Sequence, residues 1–185
     1  MAGEGDTPEA PLIRAAIDKQ DPEHFSDFLH KHSSIVNAGR VDTRTTTLEY
    51  ACRQPNSDIV VLLLDAGADP NLKKPGFHDS PLSYAVMGGH PIAVFEKLLA
   101  SGARAQDSKA LNEAISRNRA DVLELLLHKG ADPRIGGHNG KTLLQLAKAQ
   151  GCDKNVIGAL QRAERRSKTP LWKKVLLMDV LLPQY

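Results

Sequence analysis

The chain has 185 residues, 25% charged and 41% hydrophobic, with 24 Lys and Arg against 22 Asp and Glu. That length suits one domain or one short array of small units, and the composition excludes wholesale disorder. A net charge of +2 sets up no global field for nucleic acid, and only 4% aromatic residues favour a thin core of Leu, Ala, Val and Ile over a bulky one.

The start, Met1 to Asp6, is acidic and lacks the apolar stretch of a signal peptide, so residues 1–8 read as a flexible N-terminus. Repeating units then fill residues 9–165. One motif recurs as Ala10-Pro11-Leu12-Ile13-Arg14-Ala15, Thr46-Thr47-Leu48-Glu49-Tyr50-Ala51, Ser80-Pro81-Leu82-Ser83-Tyr84-Ala85, Lys109-Ala110-Leu111-Asn112-Glu113-Ala114 and Thr142-Leu143-Leu144-Gln145-Leu146-Ala147. Its Leu positions are 12, 48, 82, 111 and 144. Ser80 suits an N-cap, and Pro81 a first helical turn where a missing N–H costs nothing.

A second motif follows three of these copies. Leu62 to Pro70 reads Leu-Leu-Leu-Asp-Ala-Gly-Ala-Asp-Pro, and Leu125 to Pro133 reads Leu-Leu-Leu-His-Lys-Gly-Ala-Asp-Pro. A weaker copy runs from Lys97 to Arg104. Each apolar stretch ends on a Gly, the residue that closes a helix in the left-handed region without a Cβ penalty. Outer helices are predicted over Asp58–Ala66, Pro91–Ser101 and Asp121–Lys129. One such helix pair cannot bury its apolar face alone, whereas stacked pairs can. Leu63, Leu64, Leu126 and Leu127 are the expected core between repeats, at roughly 1.5–3 kcal/mol per buried side chain.

These paired motifs resemble the ankyrin repeat family, whose unit is about 33 residues with a T-P-L-H-x-A start. The resemblance covers most of the chain, from Glu9 to Ala163. It implies an all-α solenoid of about five helix-turn-helix repeats. The sequence departs from the family in places. Ile13, Glu49, Ser83, Asn112 and Gln145 stand where the family has His, so its hydrogen bonds between repeats are missing or replaced. Pro55 and Asn118 stand where it favours Gly. Gly102 and Leu111 lie so close in sequence that the finger between those repeats should be lost.

Residues 166–185 form a basic, apolar tail. It reads as a terminal helix in which Trp172, Val175, Leu176 and Val180 cover the last repeat, as a segment for a partner or membrane surface, or as a disordered end. The longest apolar run, Ile59 to Leu64, is far short of a membrane span.

The chain shows no phosphate loop, no nucleophile elbow and no His-Glu-x-x-His. His24, His30 and His32 cluster without a completing ligand, and Cys52 reads as a structural thiol. Neither catalysis nor a cofactor is expected, and no small-molecule substrate. The resemblance implies a monomeric, cytoplasmic or nuclear protein-interaction module with a concave surface of fingers and inner-helix ends. Its candidate residues are Arg44, Thr45, Arg53, Gln54, Phe77, His78, Asp79, Met87, Ser116, Arg117 and Gln150. Arg53, Met87, Arg117 and Gln150 should line one row, with the groove opening around Met87 and Arg117. The lesser reading is nucleic-acid or membrane-surface association through the tail. Asn71 also resembles the Asn that asparaginyl hydroxylases modify in ankyrin loops, with Leu eight positions before it and Asp two before.

Overall fold

The computed structural model describes residues 9–37, 41, 45–72, 79–134 and 141–167. Among them the chain is helical, with no strand. The helices are α1 (Ala10–Asp18), α2 (Pro22–Lys31), α3 (Thr47–Arg53), α4 (Ser57–Asp65), α5 (Pro81–Gly88), α6 (Ile92–Ala100), α7 (Ser108–Ser116), α8 (Ala120–His128), α9 (Leu143–Ala149) and α10 (Lys154–Ser167). A 3₁₀ turn covers Ser33–Ile35. Odd-numbered helices pack on one another in series, and so do even-numbered ones. Five helix pairs thus form two layers, an inner one led by α1 and an outer one led by α2. Of the three predicted outer helices, α4 and α8 sit one residue earlier than the apolar pattern alone predicted, and α6 is one residue shorter at each end.

Local chemistry sets where each helix begins. Thr46, Ser80 and Thr142 close capping boxes with Glu49, Ser83 and Gln145, satisfying otherwise orphaned N–H groups. The fourth repeat differs. The motif reading started it at Lys109, but α7 begins at Ser108 and is capped by Asp107, whose carboxylate accepts from the Ala110 N–H at 3.0 Å. The second Asp107 oxygen accepts from the Ser80 hydroxyl, tying the caps of neighbouring repeats. The connection from α6 to α7 spans only residues 101–107 and contains no finger.

Helix ends follow the glycines. At Gly67, Gly102 and Gly130 φ is +86°, +97° and +97°. At the first of these, the N–H of Gly67 donates to Leu64 O and that of Ala68 to Leu63 O, the paired bonds of a left-handed cap. Asn118 takes the same conformation at φ +57°, as a short polar side chain permits. Pro55 instead holds Gln54 extended at ψ 156°, which ends α3 without a left-handed residue.

The core runs through both layers. Leu63, Leu98 and Leu126 are fully buried on successive outer helices, and Leu48, Leu82 and Leu111 are buried on the inner ones. The first repeat corrects the motif alignment. Leu12 is 56% exposed, whereas Ile13 is fully buried, followed by Ala16 and Ile17. That i, i+3, i+4 set matches Leu82, Ala85 and Val86 in α5. Ile13 is therefore the structural counterpart of the motif Leu, and Leu12 points out. Two adjacent apolar residues left this register ambiguous by one position.

Residues 1–8 and most of the tail, 168–185, lie outside the described residues, and so does the predicted tail cap. Among the described residues no helix is long and apolar enough to cross a membrane.

Candidate functional site

The ends of the inner helices carry the exposed candidates. Arg53 ends α3, Met87 sits in the last turn of α5, Ser116 ends α7, and Arg117 and Gln150 follow α7 and α9. All five are exposed, and Gln54 is half-buried. Met87, 42% exposed, and Leu12 are the exposed large hydrophobic residues among those described. The left-handed residues Gly89, Asn118 and Gly151 fix the register, so Gly88, Arg117 and Gln150 are equivalent. Arg53 and Met87 occupy the position one before, shared by Ser116. The expected single row is thus two adjacent columns.

Several of these side chains are already engaged. The Arg53 guanidinium lies over the Tyr84 ring, 5.8 Å from its centroid. Arg117 pairs with Glu113 at 3.4 Å on its own helix. Asp79 is half-buried, accepts from the Tyr84 hydroxyl at 3.2 Å and pairs with Lys109 at 3.0 Å. Burial and the nearby Asp79 charge push the Tyr84 phenol up to about 12, so it stays a neutral donor at physiological pH. Thr45 was expected at the exposed rim and is fully buried instead, with its carbonyl accepting from the Val41 N–H at 3.0 Å. Arg44, Phe77 and His78 lie outside the described residues.

Sequence reasoning missed a polar seam beside these ends. His90 is buried between repeats. Its Nε2–H donates to Cys52 O at 3.1 Å, and Nδ1 lies 2.9 Å from Ser57 Oγ. Burial, more than any neighbouring charge, holds His90 below the usual imidazole range, and Arg119 adds to this. Arg119 donates to His90 O at 3.0 Å, pairs with Asp121 at 2.8 Å, and lies over the Phe95 ring at 5.6 Å. These residues take over the repeat-to-repeat bonding expected of the absent motif His. The one available signal was positional: His90, Arg119 and Cys152 each follow the left-handed residue.

The loops on the far side form a second ladder. Asn37 donates to Gly67 O at 3.0 Å and accepts from the Asp69 N–H at 2.8 Å. Asn71 repeats this with Gly102 O at 2.8 Å and the Arg104 N–H at 3.3 Å. Gln106 accepts from the Asp132 N–H at 2.6 Å. The half-buried Asn71 carboxamide is thus used at both ends to join two loops.

The remaining chemistry is structural in geometry. Cys52 is buried, and burial pushes its thiol up, away from the reactive thiolate. His24 meets Lys19 at 2.9 Å, His30 meets Ser26 O at 2.8 Å, and His32 stacks near Phe28. No set of His, Cys, Asp and Glu among the described residues could hold a metal ion.

Comparison with known proteins agrees with the repeat geometry. Residues 48–137 match the model for ankyrin repeats (3 copies). An ankyrin repeat-containing protein of Treponema pallidum (strain Nichols) is 37% identical over 156 residues, covering 74% of this chain and 51% of the relative. An ankyrin repeat protein of fowlpox virus (strain NVSL) is 30% identical over 129 residues, covering 69% of this chain and 18% of the relative. The chain therefore spans about half the length of the first relative and much less of the second.

Proposed function

Residues 48–137 are ankyrin repeats, and from that premise we propose that the chain is a non-catalytic module binding one protein partner through the ends of its inner helices. Ankyrin repeats are in general protein-interaction modules. The observation carrying the surface assignment is Met87, exposed among polar ends where, among the described residues, Leu12 is the other exposed large apolar side chain. Arg53 and Arg117 flank it, while Gln150 extends the surface toward the last repeat. Two guanidiniums, a thioether and an amide suit an acidic, partly apolar protein segment. Arg binds carboxylates bidentately, and Met repacks around varied partners. A shallow surface buries too little of a small molecule to hold it well.

The experiment is affinity capture from the source cell with the parent, with R53E/R117E, and with M87S. The charge-reversed variant should lose the partner while its helical content stays unchanged, and M87S should weaken capture. Equal capture by all three would place the partner on another face. Binding that falls steeply with added salt and ignores these substitutions would instead favour nucleic acid on the basic tail. Asn71 belongs to the same reading as a hydroxylation site, and peptide masses without an added oxygen there would remove it.

A further inference from the structure

The last repeat changes residue type where the others bury apolar side chains. Four positions after the motif leucine, α3, α5 and α7 bury Cys52, Val86 and Ile115. In α9 that position is Lys148, and it is exposed. The outer layer repeats the contrast. Ile59, Val94 and Val122 are buried in α4, α6 and α8, and their counterpart in α10 is the exposed Asn155. The helix itself also runs on. Gly67, Gly102 and Gly130 close its counterparts at positive φ. The equivalent residue of α10 is Ala163, buried inside a helix of 14 residues against nine in α4, α6 and α8. A solenoid ends on a repeat with a polar outer face. Leu144 is the one motif leucine left half-buried there. Any cover over this face would have to take the Lys148 ammonium out of water, and a basic cover would meet it with like charge.

The sequence that follows is the opposite in character. Residues 165–174 hold five cations, Arg165, Arg166, Lys168, Lys173 and Lys174, and no carboxylate. The two arginines are exposed at the end of α10. Residues 175–182 are then apolar at every position but Asp179. Four apolar residues in succession, 175–178, cannot share one face, because side chains turn by 100° per residue in a helix and 180° in a strand. A protein groove takes one face of a segment, whereas a hydrocarbon layer takes every direction. The 12 residues 171–182 are far short of the ~20 that span a bilayer, which fits the segment to a membrane's surface. Trp172 and Tyr185 bracket the run, and these residue types settle at headgroup level.

We propose that residues 168–185 are a binding segment for an anionic lipid surface and not the cover of the array. The apolar run enters the acyl boundary, Trp172 sits among the headgroups, and the cations of residues 165–174 meet lipid phosphates and carboxylates. Lysine stems beside Trp172 lie along the apolar layer while their ammonium groups stay in water. None of the inner-helix residues takes part, so this inference stands or falls apart from the reading of that surface.

The test uses the full chain and vesicles of phosphatidylcholine, with or without about one third phosphatidylserine. Trp172 is the single tryptophan, so its emission reads the segment directly. In the free chain it should be that of a solvated indole. Vesicles with phosphatidylserine should shift it to the blue, saturably, and carry the chain down on sedimentation. Neutral vesicles, and K173E/K174E on anionic ones, should each need about tenfold more lipid for half-binding. V175S/L176S should lose vesicle binding while Tm stays that of the parent. M87S should leave vesicle binding within about twofold, which separates this result from loss of the protein partner. An emission already blue in the free chain and unmoved by lipid would return the segment to the end of the array and overturn the proposal. A Tm lowered by V175S/L176S would do the same. Equal binding to neutral vesicles, or none to anionic ones, would also overturn it. So would a blue shift given by duplex DNA or an acidic protein and not by vesicles.

Discussion

Two seams of the inner layer solve the same packing problem in opposite ways. Where α5 meets α3, Gly88 has no side chain, and a Cβ there would lie 2.4 Å from Cys52 O. The seam is sealed by the buried His90 bridging Cys52 O and Ser57. Where α9 meets α7, the position equivalent to Gly88 is Gln150, and the seam is closed by the half-buried Cys152, whose thiol donates to Ile115 O at 3.4 Å. Exposed Asn118 and Asp153 add a link there. A thiol is a weak donor, and exposed pairs contribute little. Tight approach thus costs a position its side chain. The looser repeats keep theirs, and those are the Arg117 and Gln150 that the proposed partner uses.

The strongest way to break this comparison is Gly88→Ala. Its new methyl meets a backbone oxygen that cannot swing aside, so the loss should reach or exceed the top of the ~1–3 kcal/mol range for overpacking. Urea denaturation reads it directly. A loss below about 0.5 kcal/mol would mean the α3–α5 approach is not tight.

The next contrast is His90→Ala against Cys152→Ala. The first leaves buried Cys52 O without its donor and should cost about 2–3 kcal/mol. The second removes a weak bond and should cost under about 1 kcal/mol. Acid sharpens the difference. The folded state holds His90 below its unfolded value, so the unfolded chain takes up the proton first. Stability from this group is complete above about pH 6.5 and declines as pH falls toward the lower folded value. Midpoints measured at pH 7.5 and 5.5 should fall more in the parent than in His90→Ala. Equal falls would show that His90 is not held neutral by the seam.

The smallest effect has the opposite sign. Gly158 lies inside α10, where glycine costs roughly 0.5–1 kcal/mol relative to alanine. An added Cβ would meet only the guanidinium of the exposed Arg162, at 3.2 Å. Gly158→Ala should therefore stabilise the last repeat by a few tenths to about 1 kcal/mol. A destabilised variant would show that Arg162 cannot yield.

Much of this architecture was legible in the residues because helix ends are local chemistry. Gly67, Gly102 and Gly130 announced left-handed caps, and Ser80 announced a helix start. What failed was information held by neighbours. Leu12 and Ile13 are equally apolar, and only packing against the next repeat selects Ile13. Asp107 replaces a cap two residues away because the short connection pulls α7 forward. His90 and Arg119 look like ordinary turn residues until the preceding repeat supplies Cys52 O to the one and His90 O to the other. At the candidate surface, exposure of Arg53, Met87 and Arg117 followed from the repeat register. The burial of Thr45 and its backbone bond to Val41 lie before the helix, where no periodicity reads them.

The comparison is tested most directly by hydrogen exchange followed by mass spectrometry along the whole chain. Amides of α3 and α5 should exchange slowest, and those of α9 and α10 markedly faster, as a seam closed by a thiol and exposed side chains opens before one closed by a buried imidazole. Protection of α9 equal to or above that of α5 would contradict the account.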